Sequence, residues 1–402
     1  MKSSKILGFD KNVFWMGITS FFTDVGSEMI YPILPVFLSS VLGVNKAFIG
    51  LIEGIAEATA SLIKLVSGWL SDKLGKRKEI VVFGYSLSTL AKPFLAISAA
   101  GWHVLGLRFL DRLGKGLRSS PRDALIAESC ESCDRGKSFG FHRALDSAGA
   151  MAGPAIAFIL MPLLGGFTGA GLAAASPYRI IFLLSAIPAA IAVIILILFV
   201  KENNNGRDVS RHIPAKQSKL NLKPLLNKNF LAFMLIYTLF TLGNSSDAFL
   251  ILRAQDFNIS LYFIPLLWMM FNGVYTAFCL PAGKISDIVG RKKVIVTGLI
   301  VYSLVYFGFG RSSQAWHIWA LFALYGAYYG IIEGTSRALI ADSIPANVRA
   351  TAYGIYNTMI GFSAFFSSVI MGLLWQTFGP TIAFSFGGSL AAVSAVLLIL
   401  FI

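Results

Sequence analysis

About twelve apolar runs, each near the twenty residues that a helix needs to cross a bilayer, follow one another along this chain. They centre near Ser27, Ala58, Leu90, Leu113, Met151, Ala189, Leu239, Met269, Ser303, Gly326, Phe362 and Leu390. No other feature narrows the possible folds so far. Inside hydrocarbon every backbone N–H and C=O must find its partner within the protein, which leaves helices and closed barrels. The runs are long and continuous, unlike ten-residue alternating strands, so a barrel is excluded. The fold class is therefore an all-α integral membrane protein with twelve transmembrane helices. Composition agrees, with 56% hydrophobic and 13% charged residues and a mean hydropathy of +0.71, outside the range of soluble domains.

The connections between runs alternate in charge. One set holds Lys73, Lys76, Arg77 and Lys78, then Arg135 and Lys137, a basic stretch from Lys201 to Lys228, then Arg291, Lys292 and Lys293, and finally Arg349. The other set is short and almost uncharged. The positive-inside bias puts the basic set, and with it both termini, on the cytoplasmic side of the inner (cytoplasmic) membrane. Lys2, Lys5 and Lys11 precede an apolar run too long for a signal peptide, so the first span is expected to stay uncleaved. The net charge of +14 is thereby topogenic, and nucleic acid is excluded as a partner. The polar segment 201–228 reads as a cytoplasmic linker loop between an N-terminal six-helix bundle, 1–200, and a C-terminal one, 229–402. Cys130, Cys133 and Cys279 are too few for a disulfide framework, and the lone C-x-x-C lacks the second pair a zinc site needs. No metal and no cofactor are expected.

One run breaks the apolar pattern. RFLDRLGKGLRSSPRD, Arg108 to Asp123, carries seven charged side chains. At about 100° per residue, Asp111, Arg112, Lys115, Arg118, Arg122 and Asp123 fall in a wedge of roughly 140°. Phe109, Leu110, Leu113, Gly114, Leu117 and Pro121 take the other side. Ions left in lipid cost several kcal/mol each, so the wedge must face a watery cavity or its partners. The fourth span is expected to line a solute pathway.

The chain also repeats itself. GWLSDKLGKRKEI (Gly68 to Ile80) recurs as GKISDIVGRKKVI (Gly283 to Ile295), and ALIAES (Ala124 to Ser129) as ALIADS (Ala338 to Ser343). Parallel six-span repeats build one large class of carriers. The G-x-x-x-D-x-x-G loop with its basic triplet, present twice, resembles the signature of the major facilitator superfamily. Arg108 with Gly114 and Gly116 is similar to that family's fourth-span arginine motif, and Gly149, Gly153 and Pro154 to its fifth-span GxxxGP motif. The resemblance implies a secondary transporter working by alternating access, and a gate at the inner ends of the spans. There Asp72 would accept N–H groups of a neighbouring helix terminus, and Arg77 would pair with Glu128 or Asp123. Asp287, Arg291 and Asp342 would repeat the arrangement.

Other charges sit too deep to be topogenic. Asp24, Glu28 and Tyr31 recur at i, i+4 and i+7 in the first span and share a face. Carboxylates one turn apart repel, which suits them to carrying a proton. The second span adds Glu53, Glu57 and Lys64, and the third Lys92. Arg143 and Asp146 stand at i and i+3 in the fifth, after His142. Transferring the wedge to the second half puts Tyr325, Tyr329, Glu333 and Ser336 on the tenth span, and the seventh contributes Asn244, Ser245, Ser246 and Asp247. One half thus offers guanidinium and ammonium groups and the other rings and hydroxyls, an arrangement suited to gripping an organic anion. Substrate contacts are expected from Arg108, Arg112, Lys115, Arg118, Arg143, Tyr325, Tyr329, Glu333 and Asp247. Proton coupling is expected from Asp24, Glu28, Asp111 and Asp146.

The reading is a monomeric, proton-coupled carrier of an organic anion, a polycarboxylate or a carboxylate-type siderophore. Multidrug or toxic-compound efflux is the alternative, and a divalent-metal exporter built on Asp24, Glu28 and Asp247 a further one. Enzyme chemistry is not expected, since the chain has no H-E-x-x-H and no complete P-loop.

Overall fold

The computed structural model describes residues 5–130, 135–164, 172–202, 227–345 and 349–401. Cys133, most of the expected linker (203–226) and the side chain of Asp72 lie outside the described residues. Twelve long helices are found among those described: α1 (Lys11–Ile30), α2 (Lys46–Leu74), α3 (Arg77–Leu95), α4 (Gly101–Glu128), α5 (Arg135–Leu163), α6 (Leu172–Phe199), α7 (Lys228–Gly243), α8 (Ile264–Val289), α9 (Arg291–Arg311), α10 (Ala315–Ser343), α11 (Arg349–Phe378) and α12 (Pro380–Phe401). Each expected span centre falls in one of them. Eight are apolar enough along an 18-residue window to cross a bilayer by composition alone. The other four, α2, α3, α4 and α10, carry charged residues along their length, as α1 and α5 also do.

Local chemistry sets the ends and breaks. The Asp10 carboxylate caps α1 by accepting from the Asn12 backbone N–H at 2.8 Å. A small antiparallel hairpin, β1 (Lys5–Ile6) and β2 (Phe9–Asp10), precedes it and turns at Leu7 and Gly8 with positive φ. Pro32, without an N–H, ends the regular part of α1, and the span continues through short turns at Leu34–Val36 and Phe37–Val41. The seventh span breaks after Gly243, unwinds through Asn244–Asp247 and resumes at Ala248–Asp256.

The chain divides into two compact units. One holds Met1–Phe37 and Thr59–Lys216, the other Leu38–Ala58 and Gln217–Ile402. The boundary runs through α2, whose first half belongs with the second unit. Within the first unit α3 packs on α4 and α6, and α1 on α5 and α6. Within the second, α9 packs on α10 and α12, and α7 on α11 and α12. Each pairing recurs six helices later, so the sequence repeat is a repeat of packing.

Glycines set the closest approaches. A Cβ on Gly114 would lie 2.5 Å from the Gly84 carbonyl oxygen, and one on Gly84 2.7 Å from that of Gly114, so α3 and α4 meet backbone to backbone. A Cβ on Gly149 would lie 2.6 Å from the Phe21 carbonyl oxygen and 3.0 Å from the Asp24 Cβ. On Gly153 it would lie 2.6 Å from the Val25 carbonyl oxygen and 2.8 Å from the Glu28 Cβ. The GxxxGP motif therefore presses α5 onto α1 at its two carboxylates, the role small residues play where membrane helices cross closely.

Candidate functional site

A cavity of about 580 Å³, counting the space open to solvent at its mouth, lies within the first unit. Asp24, Ser27, Glu28 and Tyr31 line it from α1 and its end, Lys92 and Leu95 from α3, and Leu107, Arg108, Asp111, Arg112, Lys115 and Arg118 from α4. The α4 charges stand at i, i+3, i+4, i+7 and i+10, which is one continuous stripe on a helix. Phe109 and Leu110 are exposed on the other side. Five cationic side chains and three carboxylates thus share one chamber.

Asp111 is the internal counter-charge. Lys92 Nζ and Arg108 Nη1 each lie 3.8 Å from its carboxylate, and the Ser88 hydroxyl donates to it. Lys92, only 3% exposed, also donates to Ser27 Oγ at 3.1 Å, which ties α3 to α1. The Arg118 guanidinium stacks over the Tyr85 ring at 4.2 Å, and Arg108 lies 5.9 Å from the Tyr31 ring centre. One Arg118 nitrogen, Nη1, is buried with no hydrogen-bond partner among the described residues. A buried donor left that way is costly unless a bound group supplies the acceptor.

Arg122 and Asp123 belong to the same wedge yet do not line the cavity. Arg122 pairs with Asp123 at 2.9 Å and reaches Ser20 Oγ on α1 at 3.4 Å. On α5, His142 is buried and its Nδ1 lies 3.5 Å from Asp146. Arg143 stands 3.9 Å from the same carboxylate but is 63% exposed and does not line the cavity. Spacing explains the exchange. His142, Asp146, Gly149 and Gly153 fall at i, i+4, i+7 and i+11, one face, and the glycines aim that face at α1. Arg143 is one residue, about 100°, out of phase. The glycine motif, used as a phase marker, sets His142 on that face and Arg143 off it. Asp24 is within electrostatic reach of Asp146, Arg118, Lys115 and Glu28, so the α1 and α5 acids form one group.

The charged residues at the helix ends pair as repeats. Arg77, at the start of α3, forms an ion pair with Glu128, the last residue of α4, and not with Asp123. Its backbone N–H donates to Glu202 at 2.8 Å. In the second unit Arg291 pairs with Asp287 and, at 3.2 Å, with Asp342. Both clusters close inside their own unit and brace the same helix ends.

In the second unit the tenth-span face is aromatic and acidic. Tyr325 Oη donates to Asp247 at 2.6 Å, and Tyr275 Oη to Glu333 at 2.5 Å. Arg337 lies 3.5 Å from Glu333. Tyr329 meets Phe271, Tyr275, Tyr325 and Tyr328 edge-on, with ring centres 5.3–6.2 Å apart. Tyr325 is fully buried, so it acts on Asp247. The unwound Asn244–Asp247 segment sets Ser246 Oγ 3.4 Å from Glu53, which is 2% exposed. Its depth was not readable from the sequence. Tyr275 and Glu53 are the members of this cluster that sequence reasoning did not place there.

The class these features define is a two-unit helical carrier with a charged chamber among the fourth-span residues. The family model of the Major Facilitator Superfamily matches residues 16–272 and 242–402, and the chain belongs to that family. An uncharacterized MFS-type transporter of Methanocaldococcus jannaschii is 36% identical over 397 residues, covering 97% of this chain and 94% of that one. The multi-drug resistance efflux pump PmrA homolog of Lactococcus lactis is 25% identical over 359 residues, covering 86% and 83%. Among solved structures, a POT family transporter in complex with 5-aminolevulinic acid superposes with a TM-score of 0.79 at 12% identity, covering 99% and 97%. The chain is therefore a multi-pass membrane protein and a secondary transporter of this superfamily.

Proposed function

We propose that the chain moves an organic anion, a polycarboxylate or carboxylate-type siderophore, across the cytoplasmic membrane by alternating access, coupled to protons. The observation that carries the reading is the chamber itself, where Arg108, Arg112, Lys115, Arg118 and Lys92 outnumber Asp24, Glu28 and Asp111. Guanidinium groups recognise carboxylates with paired, charge-assisted hydrogen bonds. Asp111 sits beside Lys92 and Arg108, and the chamber's five cationic side chains exceed its three carboxylates. Arg143, Tyr329, Glu333 and Asp247 stay in the proposal as contacts outside this chamber, with Tyr325 supporting Asp247. Coupling is assigned to Asp24, with Glu28 and Asp146 beside it, and Asp111 as the charge that balances the stripe. The gate is assigned to Asp72, Arg77, Glu128, Asp287, Arg291 and Asp342. The protein works as a monomer with both termini in the cytoplasm.

Efflux of cationic or aromatic drugs is the second reading. The tyrosine-bound acids Asp247 and Glu333 among stacked rings favour it, as does the efflux-pump relative. Titration calorimetry of the purified protein with citrate, a ferric tricarboxylate chelate and a cationic dye separates the two. The anion reading expects the first two to bind, and Arg112→Ala or Lys115→Ala to weaken them at least about tenfold, some 1.4 kcal/mol. Binding of the dye alone, unchanged in both variants, would overturn it.

A further inference from the structure

The outer side of the α3–α4 pair carries a second hollow. Phe94, Ile97 and Ser98 of α3 and its end, with Trp102, Gly106 and Leu110 of α4, line an apolar groove on the membrane-facing surface. Leu107 lines both this groove and the cationic chamber. Along α4, Gly106 and Arg108 differ in height by about 3 Å. An apolar slot and a positively charged chamber therefore lie at one level, on either side of one helix pair.

The seam between them is not uniform. Toward the other end of the pair, Gly84 and Gly114 lock the backbones together. At this level Leu95 lines the chamber and Leu107 lines both hollows. Past Pro93 the end of α3 loosens into i→i+3 bonds, from Ala96 to Pro93, Ile97 to Phe94 and Ser98 to Leu95. A Cβ on Gly106 would meet no atom within 4 Å. The groove has room at Gly106.

We infer that the α3–α4 groove holds the hydrocarbon tail of a single-chain anionic amphiphile whose headgroup passes Leu107 to reach Arg108 and Lys92. The charge of the chamber and the wall it shares with the groove at Leu107 select this occupant over a neutral lipid. The inference rests on the organic-anion reading and adds long-chain carboxylates to the solutes the chamber would hold. It adds lateral access from the bilayer to access from water.

The test uses the full-length protein in dodecyl maltoside and 9,10-dibromostearate, which quenches a nearby indole, with Trp102→Phe identifying the Trp102 signal. The expected result is saturable quenching, at least about tenfold weaker with the corresponding dibromo-alcohol. Gly106→Phe, which fills the slot, and Arg108→Gln should each weaken it to the same degree, while Gly140→Phe, at another uncrowded glycine, leaves it unchanged. Ile97→Phe narrows the groove from α3 and serves if Gly106→Phe fails to fold. Equal quenching by acid and alcohol, or undiminished quenching in both groove-filling variants, overturns the inference. Calorimetry with citrate on the same samples separates the two levels. If citrate binds and dibromostearate does not, only the amphiphile inference falls. If neither binds and a cationic dye does, the anion reading falls with it.

Discussion

Asp111 shows how little a single charge says without its neighbours. In the chamber it sits between Lys92 and Arg108 with the Ser88 hydroxyl on it. Removing one member of a buried ionic cluster leaves opposing charge without compensation, which costs about 3 kcal/mol or more. Asp111→Asn is therefore expected to destabilise the protein by about that amount. Ser88→Ala, which removes one hydrogen bond, should cost about 1 kcal/mol. Thermal unfolding of the purified variants measures both, and equal small shifts would assign Asp111 no structural duty. The α4 stripe was legible because a charged residue in an apolar run has only one tolerable direction. Glu53 and His142 were less so, since depth along a span and rotation about its axis depend on which neighbour a helix meets.

At the level of elements, the pairings that repeat six helices apart make the halves of the chain two copies of one packing scheme. The loop motif and the ALIAES and ALIADS segments carried that information in the sequence, because Arg77–Glu128 and Arg291–Asp342 connect equivalent positions. The break in the seventh span was not legible. Asn244–Asp247 reads as a polar patch in an apolar run, and only its partners Tyr325 and Glu53 show that the backbone unwinds there. The α1–α5 crossing yields a direct prediction. Gly149→Ala drives a Cβ into the Phe21 carbonyl oxygen, and overpacking of this kind costs about 1–3 kcal/mol. Gly140→Ala meets nothing within 4 Å and is expected to be neutral. The difference in their unfolding midpoints, together with loss of transport only in Gly149→Ala, checks that the glycine face fixes the acids of α1.

For the whole molecule, the proposed function has the chamber's excess of cations hold the solute and the acids of α1 and α5 move the proton. A carrier that uses Asp24 for coupling should separate the two in one variant. In Asp24→Asn, uptake driven by a proton gradient is expected to fall at least about tenfold while exchange of solute for solute persists, because exchange needs no net proton movement. The measurement that bears most directly on the central claim is counterflow in proteoliposomes loaded with unlabelled citrate or its ferric chelate. Labelled solute outside should accumulate transiently in the wild type and in Asp24→Asn, and fail to do so in Arg112→Ala and Lys115→Ala. Counterflow of a cationic dye alone, indifferent to Arg112 and Lys115, would contradict the account.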